Sequence, residues 1–131
     1  YHIYLTLDKN EECVNKTRKF QFVTGAFFAI RKEVFDLVGG FDEKYIFGHE
    51  DLDLCMKVRQ IGGDVFYNHK IEAIHYESKT KQIIGIDKFE RFISSKNTYD
   101  LENHRYFLSK WNNELILDAD KYLIEDGFWG L

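Results

Sequence analysis

The sequence is poor in several features that would assign it quickly to a class. It has no excess of positive charge: 18 lysines and arginines stand against 22 aspartates and glutamates, a formal net charge of −4 at pH 7. That balance argues against nucleic acid and against an anionic membrane surface as partners. The longest nearly unbroken apolar run, Phe22 to Ile30, is far short of the roughly 20 residues a transmembrane segment requires. Two cysteines, Cys13 and Cys55, are too few for a disulfide framework. Cys55 lies in an apolar helical pattern and reads as a small core residue, so a reducing cytoplasm is the expected compartment. No charged segment followed by an apolar one opens the chain at Tyr1, so no secretory signal is visible. Outside a secretory context the sequon Asn15-Lys16-Thr17 carries no weight. There is no internal repeat and no low-complexity stretch.

What is present is material for a core. The 131 residues are 44% hydrophobic and 17% aromatic, enough for one compact domain or a piece of a larger one. The opening YHIYLTL alternates, with Tyr1, Ile3 and Leu5 on one side and His2, Tyr4 and Thr6 on the other. This pattern predicts a half-buried strand. A chain that begins in mid-strand is expected to be a fragment.

Farther along, FQFVTGAFFAI is β-rich, and Gly25 in its middle marks a bulge or a close approach. RKEVFDLVGG predicts a short helix with Val34, Leu37 and Val38 on one stripe and Gly39 as its left-handed terminator. After the aperiodic FDEKYIFGHE, a helix is predicted from about Asp51 to Ile61, stopped by Gly62-Gly63. Leu54, Cys55, Val58 and Ile61 form one face and Leu52 and Met56 another, which predicts burial on more than one side. DVFYN and IEAIHYE are strand candidates. From Asp87 the period turns helical, with a capping-box spacing at Asp87 and Glu90 and a stripe of Phe89, Phe92 and Ile93. A second helix carries Leu101, Leu108, Trp111 and Leu115.

The stretch FGHEDLDLCMKV crowds Glu50, Asp51 and Asp53 at the head of an otherwise buried helix. The plain explanation is capping: unpaired N–H groups and the macrodipole favour negative charge there, with Asp51 as cap and Asp53 in the first turn. Residues 23–78 change that reading. Thr24-Gly25-Ala26, Arg31, Val38-Gly39-Gly40-Phe41-Asp42-Glu43, Glu50-Asp51-Leu52-Asp53-Leu54, Gly62 and His75 follow one another in an order and spacing that resembles the later half of family-2 glycosyltransferases with the GT-A fold. Asn103 to Trp111 is similar to the tail of many members.

The resemblance implies a fold class and a site. The fold is α/β, a partial GT-A fold lacking its N-terminal nucleotide-binding half. Residues 1–80 would be the acceptor-side half and residues 81–131 a helical C-terminal extension. Asp51 corresponds to the catalytic base of inverting members, with Glu50 beside it. Gly25, Ala26 and Asp53 correspond to substrate-binding positions, and His75 to the histidine that helps hold a divalent cation. That cation, Mn²⁺ or Mg²⁺, is expected only together with the donor-side half. The implied partners are a nucleotide-sugar donor and a carbohydrate or glycoconjugate acceptor, in polysaccharide biosynthesis. The full-length protein would be cytoplasmic or peripheral at the membrane, and this chain alone inactive. Asp42 and Glu43 read as structural, positioning the loop before Glu50.

Departures matter too. The family's metal-binding Asp-x-Asp belongs in the donor-side half; Asp51-Leu52-Asp53 and Asp118-Ala119-Asp120 lack that context. Lys57 stands where many members have arginine, and a lysine cannot make the same forked contacts. The Gln-x-x-Arg-Trp motif of processive synthases is absent. A halved sheet exposes an edge and apolar surface, so a dimer is expected. Two other readings stay open: a non-catalytic carbohydrate- or protein-binding module on the same scaffold, and a small hydrolase using Glu50, Asp51, Asp53 and His75 with a metal. A zinc site from His49, His69, Glu77 and His75 is rejected on spacing.

Overall fold

A computed structural model describes residues 3–4, 6–46, 48–74 and 101–128. The element order is β1 (Arg18–Lys19), α1 (Lys32–Leu37), α2 (Glu50–Gln60) and β2 (Phe66–Tyr67). A helix over 101–111, here α3, follows. A 3₁₀ turn at Asn112–Glu114 leads to α4 (Asp118–Glu125). The chain is thus mixed α/β, as expected. The two strands among the described residues pair antiparallel, Arg18 with Tyr67 and Lys19 with Phe66. Among the described residues, no helix is long and apolar enough to cross a membrane.

Three helices end alike. In α1, Gly39 N–H donates to Asp36 O and Gly40 N–H to Phe35 O. In α2, Gly62 N–H donates to Arg59 O and Gly63 N–H to Val58 O; in α4, Gly127 and Phe128 repeat the pattern on Ile124 and Leu123. This double bond is the Schellman stop, and it needs a residue at positive φ. Gly39, Gly62 and Gly127 supply it at 79°, 82° and 79°.

Among the described residues 3–4 and 6–7, the predicted opening strand gives way to a turn. Tyr4 stands at φ 64° in a turn closed by Leu7 N–H on Tyr4 O. Its ring packs 5.5 Å from that of Phe128, and its hydroxyl donates to Asp126 and to Tyr122 O. The strand predicted over 20–30 is not formed, and β1 ends at Lys19. Phe20 N–H still reaches Val65 O at 3.0 Å, but Gln21 N–H donates to the Asp118 carboxylate, so a side chain replaces the neighbouring strand. Residues 71–74 are not a strand either. The helix predicted from Asp87, and its Phe89 stripe, lie outside the described residues.

The core gathers around α2, with Asp53, Leu54, Cys55, Met56 and Val58 buried. Tyr45, Met56, Phe107 and Trp111 form its centre, and Phe22, Leu52, Tyr106 and Leu108 pack against it. The two-sided burial expected of α2 is therefore observed, except that Ile61, at the C-cap, is 49% exposed. Leu37, expected on an inward stripe of α1, is 72% exposed. Leu115 falls beyond α3 and is exposed.

The C-terminal segment is clasped to β1. Asp126 accepts from Arg18, Lys16 and Tyr4. Tyr122 O–H donates to Lys19 O at 2.6 Å, and buried Gln21 bonds Glu114 O and Ile116 N–H. Burial opposes the Asp126 charge, but these three donors outweigh it and hold its pKa at about 2.

Candidate active site

α2 starts at Glu50, with His49 as its cap residue at φ 73° and no side-chain capping bond. Asp51 is therefore not the cap, as the capping reading had it, but the second helical residue. Its carboxylate does two things there. Oδ1 accepts Leu52 N–H at 2.9 Å, satisfying a donor that the helix start leaves unpaired. Oδ2 accepts Gly25 N–H at 2.7 Å, from 26 residues earlier in the chain.

Gly25 permits that approach because it has no side chain. A Cβ there would lie 2.9 Å from Asp51 Cβ and 3.1 Å from Oδ2, closer than carbon contacts ordinarily allow. Thr24 Oγ1 accepts Ala26 N–H at 3.2 Å and tightens the turn around the glycine. Gly25 and Ala26 are exposed and Asp51 is half-buried, so this contact opens to solvent. The structure thus brings Gly25, Ala26 and Asp51 together. Glu50 adjoins them, and its Oε2 is buried with no hydrogen-bond partner among the described residues.

Asp53 is placed differently. Expected as a substrate contact, it is fully shut off from solvent and faces the core. Two residues along a helix turn a side chain by about 200°, so the turn that sends Asp51 outward sends Asp53 inward. Its Oδ1 accepts Trp111 Nε1–H at 2.8 Å and Tyr45 O–H at 3.2 Å, and pairs with Lys110 Nζ. Lys57, one turn along α2, stands 3.3 Å from Oδ2 and donates to Gly40 O at 3.0 Å. Lysine suffices at position 57 because the contacts are two separate oxygens, not one planar carboxylate to be forked.

Charge is shared through the same cluster. Burial works against the Lys110 cation, but hydrogen bonds to Asp53 and Asp42 outweigh it and raise its pKa above the ordinary lysine value. Burial, and then the Asp53 charge, push the Tyr45 phenol upward. Asp42 accepts from Lys44 N–H, Lys110 and Tyr106 O–H; against the cost of burial these hold its pKa at about 2. Asp42 thus ties the loop before α2 to α3.

His49 and His104 approach at 3.3 Å, and His69 Nδ1 lies 2.9 Å from Thr17 Oγ1. His75 and Glu77 lie outside the described residues. Among those described, no three His, Cys, Asp or Glu side chains gather to hold a metal ion. Each Asp51 oxygen accepts one N–H group, and the described residues by themselves do not assemble a metal seat around it. A shallow groove of ≈ 610 Å³ between Phe20, Gly63 and Leu117 lies apart from these carboxylates.

The sequence reading passed over Asn103 and Lys110. A signal was there: both fall on the stripe of Phe107 and Trp111, at i, i+4, i+7 and i+8, where a helix facing a core should be apolar. A polar residue on such a stripe needs a buried partner.

Comparison with known proteins supplies the wider setting. Residues 7–85 match the family described as the N-terminal domain of galactosyltransferase. The uncharacterized protein y4gI of Sinorhizobium fredii is 37% identical over 124 residues, covering 89% of this chain and 13% of that protein. The O-antigen biosynthesis protein RfbC of Myxococcus xanthus is 31% identical over 78 residues, 60% of this chain and 6% of that one. The rhamnosyltransferase WbbL of Escherichia coli is 32% identical over 66 residues, 50% of this chain and 25% of its own. The chain therefore spans a quarter or less of the length of each. No solved structure matches it.

Proposed function

This chain belongs to the glycosyltransferase family described as the N-terminal domain of galactosyltransferase, and on that premise we propose that it carries the acceptor-side site of an inverting sugar-nucleotide transferase. Asp51 is the base in this reading. The observation that carries it is the Gly25 N–H to Asp51 Oδ2 bond of 2.7 Å, in a space that admits no Cβ.

The chemistry follows from the carboxylate's surroundings. Oδ1 and Oδ2 each accept one N–H, and each keeps a lone pair for a further donor. The two bonds fix the carboxylate plane, and the helix start favours its negative charge. An acceptor hydroxyl donating to Asp51 loses its proton there as its oxygen attacks the anomeric carbon. The bond from that carbon to the phosphate oxygen breaks, and the nucleoside diphosphate leaves with the electron pair. Glu50 stands beside Asp51 in this reading, its Oε2 shut off from solvent and without a hydrogen-bond partner among the described residues. Gly25 and Ala26 form a wall that a sugar ring can approach closely. Asp53 takes a positioning role.

A divalent cation would neutralise the leaving diphosphate, with His75 as this chain's contribution; no step above depends on it. Work on surface polysaccharide at the cytoplasmic membrane face fits relatives named for O-antigen biosynthesis and rhamnosyl transfer.

The test is turnover of UDP-, GDP- and dTDP-sugars by the native-length protein, wild type against Asp51→Asn. Loss of turnover with nucleotide binding intact supports Asp51 as base. Equal turnover in both reduces Asp51 to a helix-start residue. Binding of carbohydrate without turnover in either favours the binding-module reading.

A further inference from the structure

The first turn of α2 carries the candidate base, which itself accepts Leu52 N–H there. His49 makes no side-chain capping bond, a contact that ordinarily satisfies one of the unpaired N–H groups of a helix start. Further anchoring comes from α3. Asn103 Nδ2–H donates to Gly48 O at 3.1 Å. His104 meets His49 at 3.3 Å, and the Phe107 ring packs 5.7 Å from the same imidazole. Lys110 and Trp111 then hold Asp53.

Asn103, Phe107, Lys110 and Trp111 share one helical face. That face grips the residue before the cap, the cap itself and the fourth residue of α2, spanning the turn from which Asp51 projects. Lys110 is more than a counterion for Asp53. Lys57 already supplies a positive charge from within α2, at 3.3 Å. Lys110 instead joins Asp53 to Asp42, and so ties α2, α3 and the preceding loop together.

We propose that α3 is an external cap for α2, with Lys110 and Trp111 as positioning residues that, through Asp53, hold the Asp51 carboxylate against the Gly25 amide. The functional meaning rests on Asp51 being the base; the geometric claim can be tested without turnover.

The Gly25 amide proton is the probe, because an N–H donated to a carboxylate exchanges with solvent only when that bond opens. In the ¹⁵N-labelled protein the Gly25 amide is expected to exchange slowly although Gly25 is exposed. Asp51→Ala, which removes the acceptor, should abolish that protection and so assign it. Lys110→Met should leave the circular dichroism unchanged and raise the Gly25 exchange rate at least about twofold, as Asp51 spends less time on Gly25. Lys110→Arg, whose fork can engage Asp42 and Asp53 together, should restore slow exchange. If Lys110→Met does not fold, Trp111→Phe, which deletes the N–H aimed at Asp53 and keeps an aromatic ring, carries the same expectation. Wild-type exchange in either folded variant overturns the proposal. Full turnover by native-length Asp51→Asn would remove Asp51 as base and leave the grip of α3 to be judged by the amide alone.

Discussion

Replacing Gly25 by alanine adds one methyl group and tests the packing of the candidate site. Gly25 does not use a positive φ, so alanine meets no backbone strain. The new Cβ would sit 2.9 Å from Asp51 Cβ, where unstrained carbons keep about 3.5–4.0 Å. The neighbours must part by roughly 0.6–1 Å. That separation stretches the 2.7 Å bond to Asp51 beyond useful length. Overpacking costs about 1–3 kcal/mol. Losing a partly exposed, charge-assisted hydrogen bond adds about 1 kcal/mol. The reduced freedom of the unfolded chain returns about 0.4–1 kcal/mol. Because Gly25 is exposed and can relax, the net loss should fall near 1–2 kcal/mol, a urea midpoint lower by about 1 M. Turnover should suffer more: a reacting group misplaced by about 1 Å loses on the order of 100-fold in rate. Gly63→Ala is the control. Its Cβ would meet Val58 Cγ1 at 2.7 Å and Val58 O at 2.9 Å, away from the carboxylates. It should cost at least as much stability and leave turnover per folded molecule unchanged. Equal turnover in wild type and Gly25→Ala, or losses in both variants that simply track stability, would refute the reasoning.

The Asp126 clasp has a definite pH signature. Its folded pKa of about 2 lies below the ordinary value of 3.8, so its contribution is present above about pH 4 and lost as pH falls toward 2. Asp126→Asn should lower the urea midpoint near neutral pH and flatten its acid dependence; an unchanged acid slope would contradict the assignment. Asp42→Asn should do the same over the same window, since its pKa is also held near 2. Asn103→Ala leaves Gly48 O without its donor and should cost about 1–2 kcal/mol by urea denaturation. Phe27, Leu37 and Ile46 are 61%, 72% and 64% exposed, and a dimer that covers them is the expectation to test. Sedimentation velocity tests that, a monomer at high concentration being the contrary outcome.

Local punctuation was legible from residue order alone. Gly39 and Gly62 end α1 and α2 where the sequence places them, because a left-handed terminator depends on one residue's own conformational freedom. The extent of α2 was equally plain, since a run of apolar residues at helical spacing stopped by Gly-Gly has few other solutions. The start of the chain shows the opposite case. YHIYLTL has the alternation of a strand, but alternation states only which side chains could share a face, and a strand also needs a neighbour. Tyr4 is taken by Asp126 and Phe128, more than a hundred residues away, and Gln21 N–H by Asp118.

The carboxylates divide along the same line. Sequence placed Glu50, Asp51 and Asp53 in one helical turn and, through the motif order, marked Gly25 as a substrate-binding position. It could not say that Asp51 would face Gly25 while Asp53 went into the core, because inward and outward are defined only by what packs against the helix. That choice belongs to Tyr45, Lys110 and Trp111, which reach Asp53 from 8, 57 and 58 residues away and offer it donors that solvent would otherwise supply. A helix start is written locally; the direction its charges face is decided by the surface that closes over them.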